Sequence, residues 1–361
     1  MRILQLGKFY PIRGGIEKVM WDLTRGLNAE GVHCDMLCAV LGDALTLDMG
    51  GEGRCFCIHA MAKKQGTMIA PAMTGWLRRH HKEYDIIQIH HPDPMAALAL
   101  RLSGYRGKVV LQWHSDVLKS RFFTVMYSPL QNWLIGRADV IVGTTPIYTS
   151  QSPDLAGVQE KIKCVPIGIE DDIRLPGVET DRKKVFALGR LVPYKGFGTL
   201  IEAARYLPDG YKVTIGGDGP LKDVLEDHIA KHSLGEKVTL CGYMSDGEVR
   251  EEFNSCGVFC LSSSLKTEAF GIVQIEAMSC SKPVVATKVP ESGISWVNED
   301  GVSGLNVDPD DPQAMARAIV DLTSDDAVYA KFCQGARERF LEMFTIQNMV
   351  GSFRKLYEEV L

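Results

Sequence analysis

Val258-Phe259-Cys260-Leu261 leads through Ser264-Leu265-Lys266-Thr267-Glu268-Ala269-Phe270 into Gly271-Ile272-Val273-Gln274-Ile275-Glu276-Ala277-Met278. The apolar run 258–261 reads as a buried strand. From Gly271 onward Ile272, Ile275 and Met278 recur at the spacing of one helix face. Glu268 then sits on the loop at the strand's carboxyl end, and Glu276 lies inside the helix. Between them the helix N-terminus offers unpaired backbone N–H groups and the positive end of its dipole, which suits a phosphate. One carboxylate can accept hydrogen bonds from sugar hydroxyls while the other reaches a ribose. That arrangement fits a nucleotide-sugar.

The strand–loop–helix pattern repeats on both sides of this stretch. Apolar runs at residues 184–189, 212–215, 237–240, 283–286 and 304–307 read as further strands. Helical segments at 198–206, 221–232 and 248–254 separate them. The chain opens on a strand over residues 2–6 and the turn Gly14-Gly15. A helix follows, with Ile16, Val19, Met20, Leu23 and Leu27 at helical spacing. Residues 35–40, 86–90, 109–113 and 140–142 continue the series, and helical stretches between them favour a parallel sheet over a meander. Cys164-Val165-Pro166-Ile167-Gly168-Ile169, followed by polar residues 171–181, reads as a connection between domains. The tail from Asp311 is mainly helical. The expectation is an α/β chain of two Rossmann-like domains, 1–168 and 169–344, facing each other across a cleft, with helix 345–361 packing back on the first domain.

At 361 residues the chain exceeds one ordinary core. Its apolar runs are far shorter than a membrane span, and Met1-Arg2-Ile3-Leu4-Gln5-Leu6-Gly7 turns polar too soon for a signal peptide. The ten cysteines show no CxxC pair and no histidine companions at metal spacing; Cys34, Cys38, Cys256 and Cys260 lie inside apolar segments, where buried free thiols are expected, and a cytoplasmic location is the expectation. Residues 1–165 hold 19 Lys/Arg against 14 Asp/Glu (+5), and residues 166–361 hold 21 against 31 (−10), which sum to the net −5. The basic first half is expected to face an anionic partner. Nucleic acid is not that partner, because the chain as a whole is acidic.

Gly189-Arg190-Leu191-Val192-Pro193-Tyr194-Lys195-Gly196 follows the first strand of the second half. Arg190 supplies a bidentate fork and Lys195 a point charge, a pair suited to neutralising a leaving diphosphate. Gly216-Gly217-Asp218-Gly219-Pro220 after the next strand allows close backbone approach or simply a sharp turn. Gly14-Gly15 is comparable, without a full GxGxxG fingerprint. His114 lies where a strand runs out into a loop, as a buried structural histidine or as a partner for a sugar hydroxyl. Asp116 beside it is commonly a cap or turn residue. His90-His91 point to opposite faces of a strand and are not expected to hold a metal. Arg78-Arg79-His80-His81-Lys82 and Lys119-Ser120-Arg121-Phe122-Phe123, with Tyr127 and Trp133, read as solvated helix faces or as a docking surface for anionic membrane or a lipid-linked acceptor.

Taken together, Gly14-Gly15-Ile16-Glu17, His114, Arg190 with Lys195, and Glu268 with Glu276 resemble the retaining glycosyltransferases of family 4, which have the GT-B fold. The resemblance spans essentially the whole chain, and its Gly-Arg-x4-Lys-Gly and Glu-x7-Glu elements are specific in combination. It implies a hexosyltransferase acting on GDP-mannose or a UDP-hexose, with a glycan or lipid-linked acceptor in surface polysaccharide or glycolipid synthesis, peripheral on the inner face of the plasma membrane. Arg190 and Lys195 would hold the diphosphate and Glu268 the sugar hydroxyls. The Gly271 and Ile272 amides would touch phosphate, with Phe270 and Gly217 completing the donor site. Glu276 would bind the ribose, Gly15 would approach donor phosphate or acceptor, and His114 would bond the sugar near the reacting carbon. No cofactor and no metal are implied. Two positions depart from the family's pattern: Ile167 replaces an Asn before Gly168, and Ser281 replaces a Gly before Lys282-Pro283. A non-catalytic nucleotide-sugar-binding or partner-activating subunit, and an NDP-sugar epimerase, are the alternatives.

Overall fold

Apolar runs buried on both faces belong in parallel sheets covered by helices, and the first strand is one. In β1 (Arg2–Tyr10) residues 3–8 are all buried. The computed structural model describes residues 1–12, 14–64, 67–117 and 121–361, with backbone alone for 121–124. The described chain divides into two units, Met1–Gly168 with Ile346–Leu361, and Ile169–Thr345.

The first unit adds β2 (His33–Val40), β3 (Leu45–Asp48), β4 (Arg54–His59), the small antiparallel pair β5 (Ala62–Lys64) and β6 (Thr67–Ile69), β7 (Ile86–His91), β8 (Lys108–Trp113), β9 (Val140–Gly143) and β10 (Ile162–Cys164). Its main sheet has the order β10-β9-β8-β7-β1-β2-β4-β3, parallel except for the β3–β4 edge. The C-terminal helix Ile346–Val360 belongs to this unit. It buries Ile346, Met349, Val350, Phe353, Leu356 and Tyr357, an i, i+3, i+4 stripe. The helix packs on helix Gly15–Ala29, where a Cβ on Gly26 would collide with Val350.

The second unit holds β11 (Asp181–Leu188), β12 (Lys212–Gly216), β13 (Val238–Gly242), β14 (Cys256–Leu261), β15 (Val284–Thr287) and β16 (Gly304–Val307), all parallel in the order β13-β12-β11-β14-β15-β16. Val185, Ala187, Val213, Ile215, Val258 and Cys260 centre its core. In each sheet the strand order grows outward in two directions from one strand. The switch points are β1/β7 in the first unit and β11/β14 in the second, the places where open α/β sheets bind ligands.

The second-unit strands fall within a few residues of the apolar runs. Differences gather in the first unit. β3, β4, β5 and β6 lie where the sequence shows no strand signal, because they are short and half polar: Leu45–Asp48 has no buried residue. Cys164, assigned above to the connection, ends β10. Among the described residues no helix is long and apolar enough to cross a membrane.

Candidate functional site

Arg190 and Lys195 leave the end of β11, and Glu268 leaves the end of β14, so the second unit's switch point lies between them. Lys195 Nζ sits 2.5 Å from Glu268 Oε2, with the two side chains only 11% and 13% exposed. Ser263 Oγ donates to the same oxygen at 3.2 Å. Glu268 Oε1 bonds to none of the described residues, so the carboxylate is oriented through one oxygen and offers the other. Arg190 is exposed, and no described residue pairs with its guanidinium.

Glycines set these loops. Gly196 has φ +64 and caps helix Phe197–Ala203, and a Cβ there would run into the Ser262 carbonyl. Ser262 Oγ in turn donates to Lys195 O at 2.9 Å, tying the two loops together. Gly217 has φ +127, and the space its Cβ would take is filled by the Gly189 carbonyl, so its close approach is to the neighbouring loop.

Gly271 (φ +74, ψ +67) is the left-handed cap of helix Ile272–Ser279, which starts with no side-chain cap. Its first amides are therefore available to an anion. Glu276, half-buried, falls four residues after Ile272 and shares its face. Phe270 packs edge-on against Phe344 with ring centres 5.9 Å apart, so its side chain holds the loop rather than lining it. The helix ends in a Schellman motif: Lys282 N donates to Ala277 O (3.0 Å) and Ser281 N to Met278 O (2.9 Å). Ser281 has φ +59, the left-handed position that a glycine takes in this motif.

In the first unit His114 is 6% exposed and ends a buried hydrogen-bond chain. Tyr357 Oη donates to Gln88 Oε1 (2.6 Å) and accepts from Gln5 Nε2 (3.1 Å), so Gln5 turns Oε1 to His90 Nε2 (2.8 Å). An amide oxygen only accepts, so His90 carries its proton on Nε2. Burial keeps the ring neutral by pushing its pKa down to about 3. His90 Nδ1 is then a bare acceptor, and His114 Nε2, 2.9 Å away, donates to it. Burial, helped by His90, also holds His114 well below the usual histidine range. The outcome is a neutral His114 whose Nδ1 carries a lone pair and bonds to none of the described residues. His114 is thus both buried and chemically oriented.

Asp116 is structural, accepting from Trp113 Nε1 (3.0 Å) and Ser152 Oγ (2.7 Å). His91 stacks on Trp113 with ring centres 3.8 Å apart. Gly15 starts helix Gly15–Ala29, which has no side-chain cap. Of the basic stretches, Arg78 Nε is bonded to Leu102 O at 2.8 Å, while Arg79 and Lys82 are exposed. Lys119 and Ser120, and the side chains of Arg121, Phe122 and Phe123, lie outside the described residues. Tyr127 corrects the docking reading: it is 5% exposed and its ring faces His91, so it cannot meet a membrane. Trp133 lies half-buried under Arg101.

Sequence reasoning did not name Ser263, Gln5, His90 as a relay, or Tyr357. No local pattern marks them, and only packing brings them to Glu268 and His114. The cysteines are not all scattered either: Cys38, Cys55 and Cys57 lie with sulfurs 3.6–3.7 Å apart on β2 and β4. All ten are free thiols.

Residues 169–339 match the family model for glycosyl transferases group 1, and residues 13–173 that for glycosyltransferase family 4. O-antigen chain mannosyltransferase C of Escherichia coli is 29% identical, covering 100% of this chain and 99% of its own. The lipopolysaccharide core biosynthesis glycosyltransferase LpsE of Rhizobium meliloti is 31% identical over 95% of both chains. Among solved structures, HepE of Anabaena in complex with UDP has a TM-score of 0.79 over 99% of this chain and 100% of that one. At 20% identity, that match is a likeness of fold, in agreement with two Rossmann-like units of the GT-B type.

Proposed function

Because this chain belongs to the family 4 glycosyltransferases, we propose that it moves a hexose from a nucleoside diphosphate sugar to a glycan or lipid-linked acceptor with retention at the anomeric carbon. The observation that carries this reading is the Lys195–Glu268 pair at the β11/β14 switch point, beside Arg190, which pairs with no described residue, and an uncapped helix N-terminus.

In the step proposed, the bond from the anomeric carbon to the diphosphate oxygen breaks, and the acceptor oxygen attacks from the same face. The acceptor proton passes to the departing diphosphate. Arg190, Lys195 and the Gly271–Ile272 amides take up the charge that develops on the leaving group, so no metal is assigned to the step. Glu268 Oε1 accepts from a sugar hydroxyl and Glu276 from the ribose. His114 Nδ1, fixed as an acceptor, takes a hydroxyl of the sugar. Gly15 belongs to the phosphate or acceptor side.

The names of the two relatives above favour a surface polysaccharide or glycolipid product, with mannose among the candidate sugars. Attachment to the inner face of the plasma membrane is supported by the basic first half and by Val125 and Met126, 65% and 68% exposed on helix Arg121–Arg137. The test is a donor panel: GDP-mannose and UDP-hexoses with the purified chain, read first as a rise in melting midpoint and then as free nucleoside diphosphate formed when a lipid-linked glycan is supplied as acceptor. Release with one donor supports the reading. Binding without release on any acceptor would leave a non-catalytic subunit, and free epimerised sugar nucleotide would make it an epimerase.

A further inference from the structure

Glu202, His228 and His232 come together in the second unit at the far ends of two helices from the donor loops. Glu202 is on the last turn of helix Phe197–Ala203. His228 lies in the last turn of helix Lys222–Lys231, and His232 is its C-terminal cap. The two histidines are four apart and share a helix face. We propose that these three side chains bind a divalent cation of the zinc class, clamping together the two helices that follow the Arg190–Lys195 and Gly217 loops.

The geometry fits ligands better than hydrogen bonds. His228 Nε2 is 3.3 Å and His232 Nε2 is 3.7 Å from the same oxygen, Glu202 Oε2. The second distance lies outside hydrogen-bond range and the first at its weak end. Zinc bonds of about 2.0–2.2 Å to His nitrogen and carboxylate oxygen give tetrahedral edges of roughly 3.3–3.5 Å, which the two distances bracket. All three ligand atoms lie within 4.8 Å of one another. Two imidazoles and one carboxylate form a donor set that zinc takes, leaving a fourth position for water. The side chains are 24–29% exposed, so an ion can enter without opening the core. Helix C-termini carry the negative end of the dipole, which favours a cation there. Arg205 engages the other Glu202 oxygen, Oε1, and so orients Oε2 toward the histidines. None of these residues belongs to the donor site, so the ion is a structural clamp and takes no part in the transfer.

The test uses the full chain stripped by chelator and titrated with Zn²⁺ alone, by calorimetry and by melting midpoint, and then with Co²⁺ by visible absorption. Expected are one ion per chain, a rise of a few degrees in midpoint at saturation, and a Co²⁺ spectrum of nitrogen and oxygen ligands. His228→Ala, His232→Ala and the near-isosteric Glu202→Gln should each weaken binding at least tenfold. The metal-free variants should keep wild-type circular dichroism, and that result separates lost ligands from lost fold. Wild-type affinity in folded His228→Ala and His232→Ala, or no binding by the wild type, overturns the proposal. So does a sulfur-to-cobalt charge-transfer band that persists in those variants, which would place the ion at Cys38, Cys55 and Cys57.

Discussion

Replacing Lys195 by Met tests the donor site and its internal support in one experiment. Met keeps the stem that lies over Gly189, where a Cβ would come within 3.2 Å of Lys195 Cε, but removes the ammonium. Glu268 is then left 13% exposed with only Ser263 bonded to its oriented oxygen. Breaking a buried pair from one side costs about 3–5 kcal/mol, and the residual exposure of both partners brings this toward about 2–3 kcal/mol. Neutralising the partner removes the cause, so Lys195→Met/Glu268→Gln should recover most of that loss in urea unfolding. Activity should not recover. The missing cation no longer meets the leaving diphosphate, and about 2.7–4 kcal/mol of barrier, or roughly 10²–10³ in kcat, is lost as for one oxyanion donor. Nucleoside diphosphate release under saturating donor measures this directly. The reasoning fails if Lys195→Met keeps kcat within a few-fold of wild type, or if the double variant is no more stable than the single one.

Three further outcomes follow from the structure. Tyr357→Phe keeps the ring packing but strips Gln5 Nε2 and Gln88 Oε1 of their buried partner. It should cost about 1–3 kcal/mol in urea unfolding, and no loss would mean that the relay is not formed in solution. Ser281→Gly, at the left-handed end of helix Ile272–Ser279, should stabilise by about 0.5–1 kcal/mol, since the strain of a φ +59 serine exceeds the added chain entropy of glycine. A fall in melting midpoint would refute this. Burial pushes His90 and His91 down to about 3 from 6.5, so the unfolded chain binds more protons than the native one between those values. Their contribution is intact above pH 6.5 and is lost as pH falls toward 3, at about 1.4 kcal/mol per unit for each ring, or about 3 kcal/mol for the pair at pH 5.5. Flat stability from pH 7 to 5 would contradict it.

What the sequence discloses depends on how local each signal is. The second unit's strands were legible because strands of a covered parallel sheet are continuous apolar runs, as in Cys256–Leu261, where all six residues are buried. Leu45–Asp48 and Ile162–Cys164 lack that signal, since edge strands bury little. Arg190, Lys195 and Glu268 were read from the strand ends that the pattern locates, and Glu276 from its place inside the helix that follows. Their mutual pairing was not, and the Lys195–Glu268 bridge shows that the cation orients the carboxylate. The His114 relay reaches from Gln5 to Tyr357, 352 positions apart, so only the return of the C-terminal helix to the first unit assembles it. His228 and His232 stand at helical spacing but were not singled out, because nothing local ties them to Glu202, 26 residues before His228.

The stereochemistry of transfer tests the central claim most directly. With an α-linked nucleoside diphosphate hexose that the chain turns over, the one-bond carbon–proton coupling at the new anomeric centre identifies the product. The arrangement of Arg190, Lys195 and Glu268 at the second unit's switch point predicts an α-linked product formed with loss of nucleoside diphosphate. A β-linked product would contradict it.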